Sequence, residues 1–408
     1  MSARRLSGGL ALLAVGATLL ACSPSPQPTP PGESTVPSAT PSPSTAAPTP
    51  SEPLCVDLVD AMGQSEQIAQ LFMLGIDIAS GEVDSSTLNL MDDTGVGNVL
   101  LLGNSELGVA GVSDLAQTLR NSSPQPGGVD LMIATDQEGG QVQRLQGTGF
   151  PDMPSAAEQA QLSDAELRSR AEEWGEALKQ AGVDYNLAPV ADVVPADRVD
   201  SNEPIGVLQR GYGSDPEVVK EKAQAFVNGM HDAEIATSVK HFPGLGLVEG
   251  NTDLEADVTD TETTAEDLQT FTGYENLSSV MVSSAVYTQM DPDHPAVYSR
   301  EIVTGTLRIG LAFDKVIISD DLGIAESAAA VDEVDRGAAF LAAGGDLVIN
   351  ADPDSLAAMM EGVRRRAAED PGFATTIPDK ATRVLELKAE TGRAKCQPGR
   401  QPASTPEG

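Results

Sequence analysis

Eight short apolar runs rich in β-formers alternate with longer amphipathic stretches between about residues 54 and 397. This alternation limits the folds open to the chain. The strand candidates are Gln70–Ile76, Val96–Leu102, Leu131–Thr135, Asp184–Ala188, Ala236–Lys240, Ser279–Ser283, Val316–Ser319 and Asp346–Asn350. Helical patterns separate several of them. Ala165–Gly182 contains Trp174, Pro216–Ala233 follows the capping pair Ser214-Asp215, and Glu326–Ala343 runs into Gly344-Gly345. A last helix is expected near Asp379–Thr391. Strand followed by helix, repeated over one compact region, predicts an α/β fold: a single (β/α)8 TIM-type barrel with enlarged βα loops. A doubly wound open sheet is the alternative that the pattern leaves open. No internal repeat of fixed period is apparent.

The ends of the chain read differently. Residues 1–22 carry Arg4 and Arg5, an apolar run from Leu10 to Ala21, and then Cys22, the layout of an export signal with an apolar core short for a membrane span. Leu19-Leu20-Ala21-Cys22 resembles the lipobox of bacterial lipoproteins, which implies lipidation of Cys22 and anchoring to the outer face of the cell membrane. Residues 23–53 are nearly all Pro, Ser, Thr and Ala; they have little to bury and are expected to be an extended tether. Residues 54–397 form the folded region and 398–408 a polar tail. Two further cysteines, Cys55 and Cys396, stand at opposite ends of the folded region. In an exported protein they could be bridged or remain free thiols. The formal net charge of −36, from 61 acidic and 25 basic residues, argues against nucleic acid as a partner. A monomer is expected, with no cofactor and no metal, since the three histidines are widely separated.

Chemistry-bearing residues gather where the strands end, which in a parallel α/β fold is the ligand-binding rim. Asp136 follows Leu131–Thr135 and precedes Gln137-Glu138-Gly139-Gly140, with Arg144 just beyond. A carboxylate and a guanidinium there suit a polyhydroxylated ligand, or brace each other. Glu138 reads as structural. Lys240-His241 closes the fifth strand before Phe242-Pro243-Gly244. Asp320 and Asp321 terminate Val316–Ser319, and strand alternation should turn one of them inward and the other away. Asp321 suits a cap for the next helix. Asp320, ionised near cationic groups, could attack an electrophilic carbon.

In order along the chain, these segments resemble glycoside hydrolase family 3, in its branch of single-domain β-N-acetylhexosaminidases. The resemblance spans most of residues 60–350. It rests on Asp136–Gly140 with Val142 and Arg144, on Leu187-Ala188-Pro189-Val190-Ala191-Asp192-Val193, and on Ile205-Gly206 through Arg210–Pro216. Lys240–Gly244 and Ser319–Leu322 complete it. The resemblance implies a barrel in which Asp320 is the nucleophile of a retaining, double-displacement mechanism. It also implies that Asp136, Arg144, Arg210, Lys240 and His241 grip the hydroxyls of a terminal β-linked N-acetylglucosamine, typically in cell-wall (muropeptide) fragments.

The chain departs from the branch at one place. There the general acid/base is usually the histidine of an Asp-Ser-His segment shortly after the Lys-His-Phe-Pro-Gly motif. Here the loop from Leu245 to Glu255 has no histidine. Asp253 is the expected proton donor, raised by partial burial, with Glu249, Glu255 and the more distant His294 as alternatives. Two other functions stay open: a non-catalytic sugar-binding lipoprotein on the same barrel, and a β-glucosidase or β-xylosidase.

Overall fold

The computed structural model describes residues 53–399. The signal, tether and Cys22 readings lie outside the described residues, as does most of the polar tail. Eight strands form the barrel: β1 Phe72–Asp77, β2 Asn98–Leu102, β3 Met132–Thr135, β4 Tyr185–Asn186, β5 Ala236–Phe242, β6 Ser279–Val282, β7 Val316–Asp321 and β8 Leu347–Asn350. Each is parallel to its neighbours in the chain, and β8 closes on β1 through Phe72↔Val348 and Met73↔Ile349. This is a closed (β/α)8 barrel, not an open doubly wound sheet. Its strands face side chains inside and helices outside, so β3 and β8 are buried at every position. That double burial is why the strands read as continuous apolar runs.

Local chemistry sets the helix ends. Asp164–Gln180 is capped by Ser163, whose backbone N–H and hydroxyl are bonded in turn by Glu166. Pro216–Asp232 opens with proline after Asp215, which accepts the Glu217 N–H at 3.0 Å. The two helices pack together, with Trp174 buried against Phe226 at 6.3 Å between ring centroids. Trp174 is therefore a packing residue.

Three expected boundaries move. Gln70 ends the helix Gln64–Gln70, so β1 begins at Phe72. The fourth strand shrinks to Tyr185–Asn186, because Asp184 turns its carboxylate to the Ile133 N–H at 2.9 Å and Pro189 has no N–H for a ladder. The helix expected over Glu326–Ala343 is a 3-10 turn, Glu326–Ala330, followed by an α-helix only from Glu333. Ser327 causes the break: its N–H and hydroxyl both donate to the Thr252 carbonyl, at 3.2 and 2.8 Å, and tie the turn to the β5 loop. After β5 the connection to β6 contains no α-helix, only the two-residue strand Thr259–Asp260 and a 3-10 turn, Leu268–Phe271.

Two buried aspartates mark the N-terminal end of the barrel. Asp184, just before β4, takes Arg120 at 2.9 Å and Arg393 at 2.7 Å. Asp346, just before β8, takes Arg308 at 2.5 Å, Arg383 at 2.8 Å and the Ile317 N–H at 2.9 Å. Nearby, Cys55 and Cys396 are joined in a disulfide with Cα atoms 4.9 Å apart, and backbone bonds Cys55 N to Gln397 O and Gln397 N to Pro53 O flank it.

Candidate active site

At the opposite, C-terminal end of the strands lies a cavity of about 420 Å³. Asp136, Arg144, Arg210, Lys240, His241, Asp253, Asp320 and Asp321 all line it, so the residues read from the sequence converge on one site. Several come from strand ends where the ladder is irregular. The β5–β6 register shifts between Val239 and Phe242, and the β7–β8 register between Ile318 and Asp321. Strict alternation is lost there, so Lys240 and His241, adjacent in the chain, both reach the cavity.

An ionic network forms one wall. Lys240 Nζ lies 2.5 Å from Asp136 Oδ1 and 2.8 Å from Glu138 Oε1. Asp136 is thus braced by Lys240, not by Arg144. Arg210 grips Glu138 with a two-pronged pair, Nε and Nη2 each at 2.8 Å, and gives Nη1 to the Pro204 carbonyl at 2.8 Å. Burial would raise the Glu138 carboxyl, but the Arg210 and Lys240 cations outweigh it and hold it well below the usual carboxylate range. Glu138 therefore stays charged and organises the wall. Arg210, which the resemblance places on the sugar, lines the cavity and also braces this wall through Glu138. Arg144 is different. It bonds Asn104 Oδ1 at 3.1 Å through Nη1, while its buried Nε has no partner and keeps a donor for a ligand.

His241 is fixed by a residue that was quoted in a motif but given no role. Asp192 is fully buried, and its carboxylate accepts the backbone N–H groups of His241 and Leu245, at 3.0 and 2.9 Å. Its other oxygen lies 2.7 Å from His241 Nδ1. Nδ1 donates to that oxygen, and Nε2 lies 3.4 Å from Arg210 Nη2. The available signal was an acid inside the apolar run Leu187–Val194, which could be buried only with partners.

Asp320 and Asp321 both line the cavity, contrary to the alternation expected of them, and divide instead by what their carboxylates bond. Asp321 spends its carboxylate on backbone N–H groups of Gly323, Ile324, Ala325 and Ala351, at 2.7–3.1 Å, and shapes the turn above β7. Asp320 accepts only the Asp321 N–H, at 2.9 Å, and is half-buried in the cavity. Burial pushes its carboxyl up to about 6; His241 pulls it down, and the negative charge of Asp253 raises it further. Asp253 stands on the β5 loop, its N–H on Asn251 Oδ1 at 3.0 Å. It is exposed, which corrects the expected partial burial; only a ligand filling the cavity would enclose it. Glu249 and Glu255 are not among the lining residues. His294 is 61% exposed on a separate hairpin, paired with Asp291 at 3.2 Å, and does not line the cavity.

Comparison with known proteins agrees with this geometry. Residues 64–387 match the model of the glycosyl hydrolase family 3 N-terminal domain. The β-hexosaminidase of Xanthomonas oryzae pv. oryzae is 33% identical over 306 residues, covering 72% of this chain and 88% of that relative. The β-hexosaminidase of Idiomarina loihiensis is 32% identical over 285 residues, covering 68% and 82%. Among solved structures, β-N-acetylhexosaminidase from Beutenbergia cavernae superposes with a TM-score of 0.77 at 42% identity, covering 80% of this chain and 99% of that one. With the barrel, the rim cluster and these relatives in agreement, the chain belongs to glycosyl hydrolase family 3, in its single-domain β-hexosaminidase branch, and is a glycoside hydrolase.

Proposed function

We propose that this protein removes terminal β-linked N-acetylglucosamine from cell-wall glycans, with retention of configuration, on the outer face of the cell membrane. The observation that carries the reading is the Asp320 carboxylate. It sits in the cavity with a single backbone donor and shares that cavity with the Asp136–Lys240 pair, His241 and Arg144, which suit the hydroxyls of one sugar. Names of the relatives support a 2-acetamido sugar, being β-hexosaminidases and a β-N-acetylhexosaminidase. Export and lipidation at Cys22 are supported by the charged, apolar and cysteine-ended start of the chain and by the tether after it.

In this mechanism an Asp320 oxygen attacks the anomeric carbon as the bond to the leaving oxygen breaks, and Asp253 gives that oxygen its proton. A water then attacks the same carbon, Asp253 takes its proton, and the Asp320 carboxylate is released. Two inversions retain configuration. The test is hydrolysis of an aryl β-N-acetylglucosaminide by the purified protein, beside the matching β-glucoside and β-xyloside. Asp320→Asn should lower kcat by about 10⁴-fold or more with the fold unchanged by circular dichroism. Full activity in Asp320→Asn would refute the nucleophile. Turnover of the glucoside over the N-acetyl sugar would reassign the substrate, and saturable N-acetylglucosamine binding without any turnover would mark a binder.

A further inference from the structure

The mouth of the cavity turns apolar where the loops after β5 and β7 meet. Leu254 is 72% exposed and Ile324 65% exposed, and both line the cavity that holds Asp320. A scattered exposed aliphatic needs no explanation, but two flanking one site mark a surface that a ligand covers. Both belong to one frame with Asp253. Ser327 bonds the Thr252 carbonyl, the Glu326 N–H reaches the Asp253 carbonyl at 3.4 Å, and the Ile324 N–H is held by Asp321 at 2.8 Å.

Charge on the β5 loop is one-signed, and on the β7 turn the guanidinium of Arg336 is spent on the Leu322 and Gly323 carbonyls, each at 2.9 Å, and on the Val331 carbonyl. From His241 to Ser299 the chain has no lysine or arginine, while Glu249, Glu255 and Asp257 accompany Asp253 on the loop. The cations of the site, Lys240, Arg144 and Arg210, belong to the network and wall on the sugar-gripping side. A proton donor must reach the oxygen between the two sugars, so the departing group lies beside Asp253. The side chains waiting there are Leu254 and Ile324.

We propose that Leu254 and Ile324 form the leaving-group subsite, and that it selects leaving groups with an apolar face and no carboxylate near the cleaved bond. The preferred substrate is then N-acetylglucosamine linked to a neutral sugar, or to an acidic sugar whose acid is amidated. This inference rests on the reading of Asp320 and Asp253 above. Aliphatic side chains pack against the C–H face of a pyranose, and an ionised acid would meet Asp253 in the cavity, with Glu255 and Asp257 adding negative charge further along a loop that has no cation.

The experiment compares kcat/KM for N-acetylglucosaminyl-β-1,4-N-acetylmuramic acid and its lactyl amide, which share the same leaving oxygen. The parent should prefer the amide by roughly tenfold. Leu254→Ala and Ile324→Ala should each lower kcat/KM for the amide by roughly 5- to 20-fold. Breakdown of the glycosyl-enzyme, measured after the leaving group has gone, should not follow that loss. Ile324→Lys should shift preference toward the free acid. Equal or better cleavage of the acid by the parent overturns the inference, as does an equal loss in both steps in the alanine variants. No turnover of any N-acetylglucosaminide, aryl included, overturns instead the functional reading on which it stands.

Discussion

The two ends of the barrel hold two kinds of aspartate, one fully buried and neutralised, the other half-buried and left short of partners. At the N-terminal end, Asp184 and Asp346 each receive two arginines and a backbone N–H. Burial would raise the Asp346 carboxyl, but Arg308 and Arg383 outweigh it and keep it below its ordinary range. At the C-terminal end, Asp320 has one backbone donor and a carboxylate neighbour, and is pushed up to about 6. A carboxylate neutralised on every side holds a fold together. One left under-neutralised beside a cavity stores reactivity, and this contrast separates the structural acids from the chemical one.

The contrast breaks most visibly at the N-terminal end. Asp346→Asn should leave Arg308 and Arg383 poorly compensated and cost about 3–5 kcal/mol in urea unfolding, while folded enzyme keeps its kcat. Asp346 has a lowered folded value, so its contribution is present above about pH 4 and fades as pH falls through that lower value. At the other end the sign reverses. Asp320 has a raised folded value, so the folded state holds its proton more tightly between about pH 4 and 6, and stability falls as pH rises through that window. Asp320→Asn should therefore be more stable than the parent at pH 7, by up to about 3 kcal/mol, and show no such gain at pH 3.5. A destabilised Asp320→Asn would place Asp320 with the structural acids.

Asp253→Asn sharpens the comparison in rate. Loss of the proton donor should reduce kcat/KM about 10²-fold or more for an alkyl glycoside and far less for an activated aryl one. Equal losses on both would remove Asp253 from the donor role. The smallest effect is the acid limb of the parent, whose kcat/KM should fall below about pH 6 as Asp320 gains a proton and stops attacking. An unchanged rate down to pH 4.5 would contradict that placement.

The fold was legible because barrel strands are buried on both faces and announce themselves as apolar runs, and because polar clusters at their C-terminal ends share one rim. Asp136, Lys240, His241 and Asp320 needed nothing more. Missed features depend on partners distant in sequence. The Glu326–Ala330 turn is set by Ser327 meeting Thr252, 75 residues away. Arg210 shows its bracing role only when Glu138, 72 residues earlier, takes its fork. Asp192 gains its role only when β5 brings His241 back against it, 49 residues on. No local pattern encodes these pairings.

The most direct test of the account is to trap the covalent intermediate. The purified protein would be treated with a 5-fluoro-N-acetylglucosaminyl fluoride, which slows release of the sugar, then quenched, digested and analysed by mass spectrometry. The account predicts one added sugar on the peptide carrying Asp320, at its first carboxylate and not at Asp321. A label on Asp253, or continued turnover with no labelled carboxylate, would contradict it.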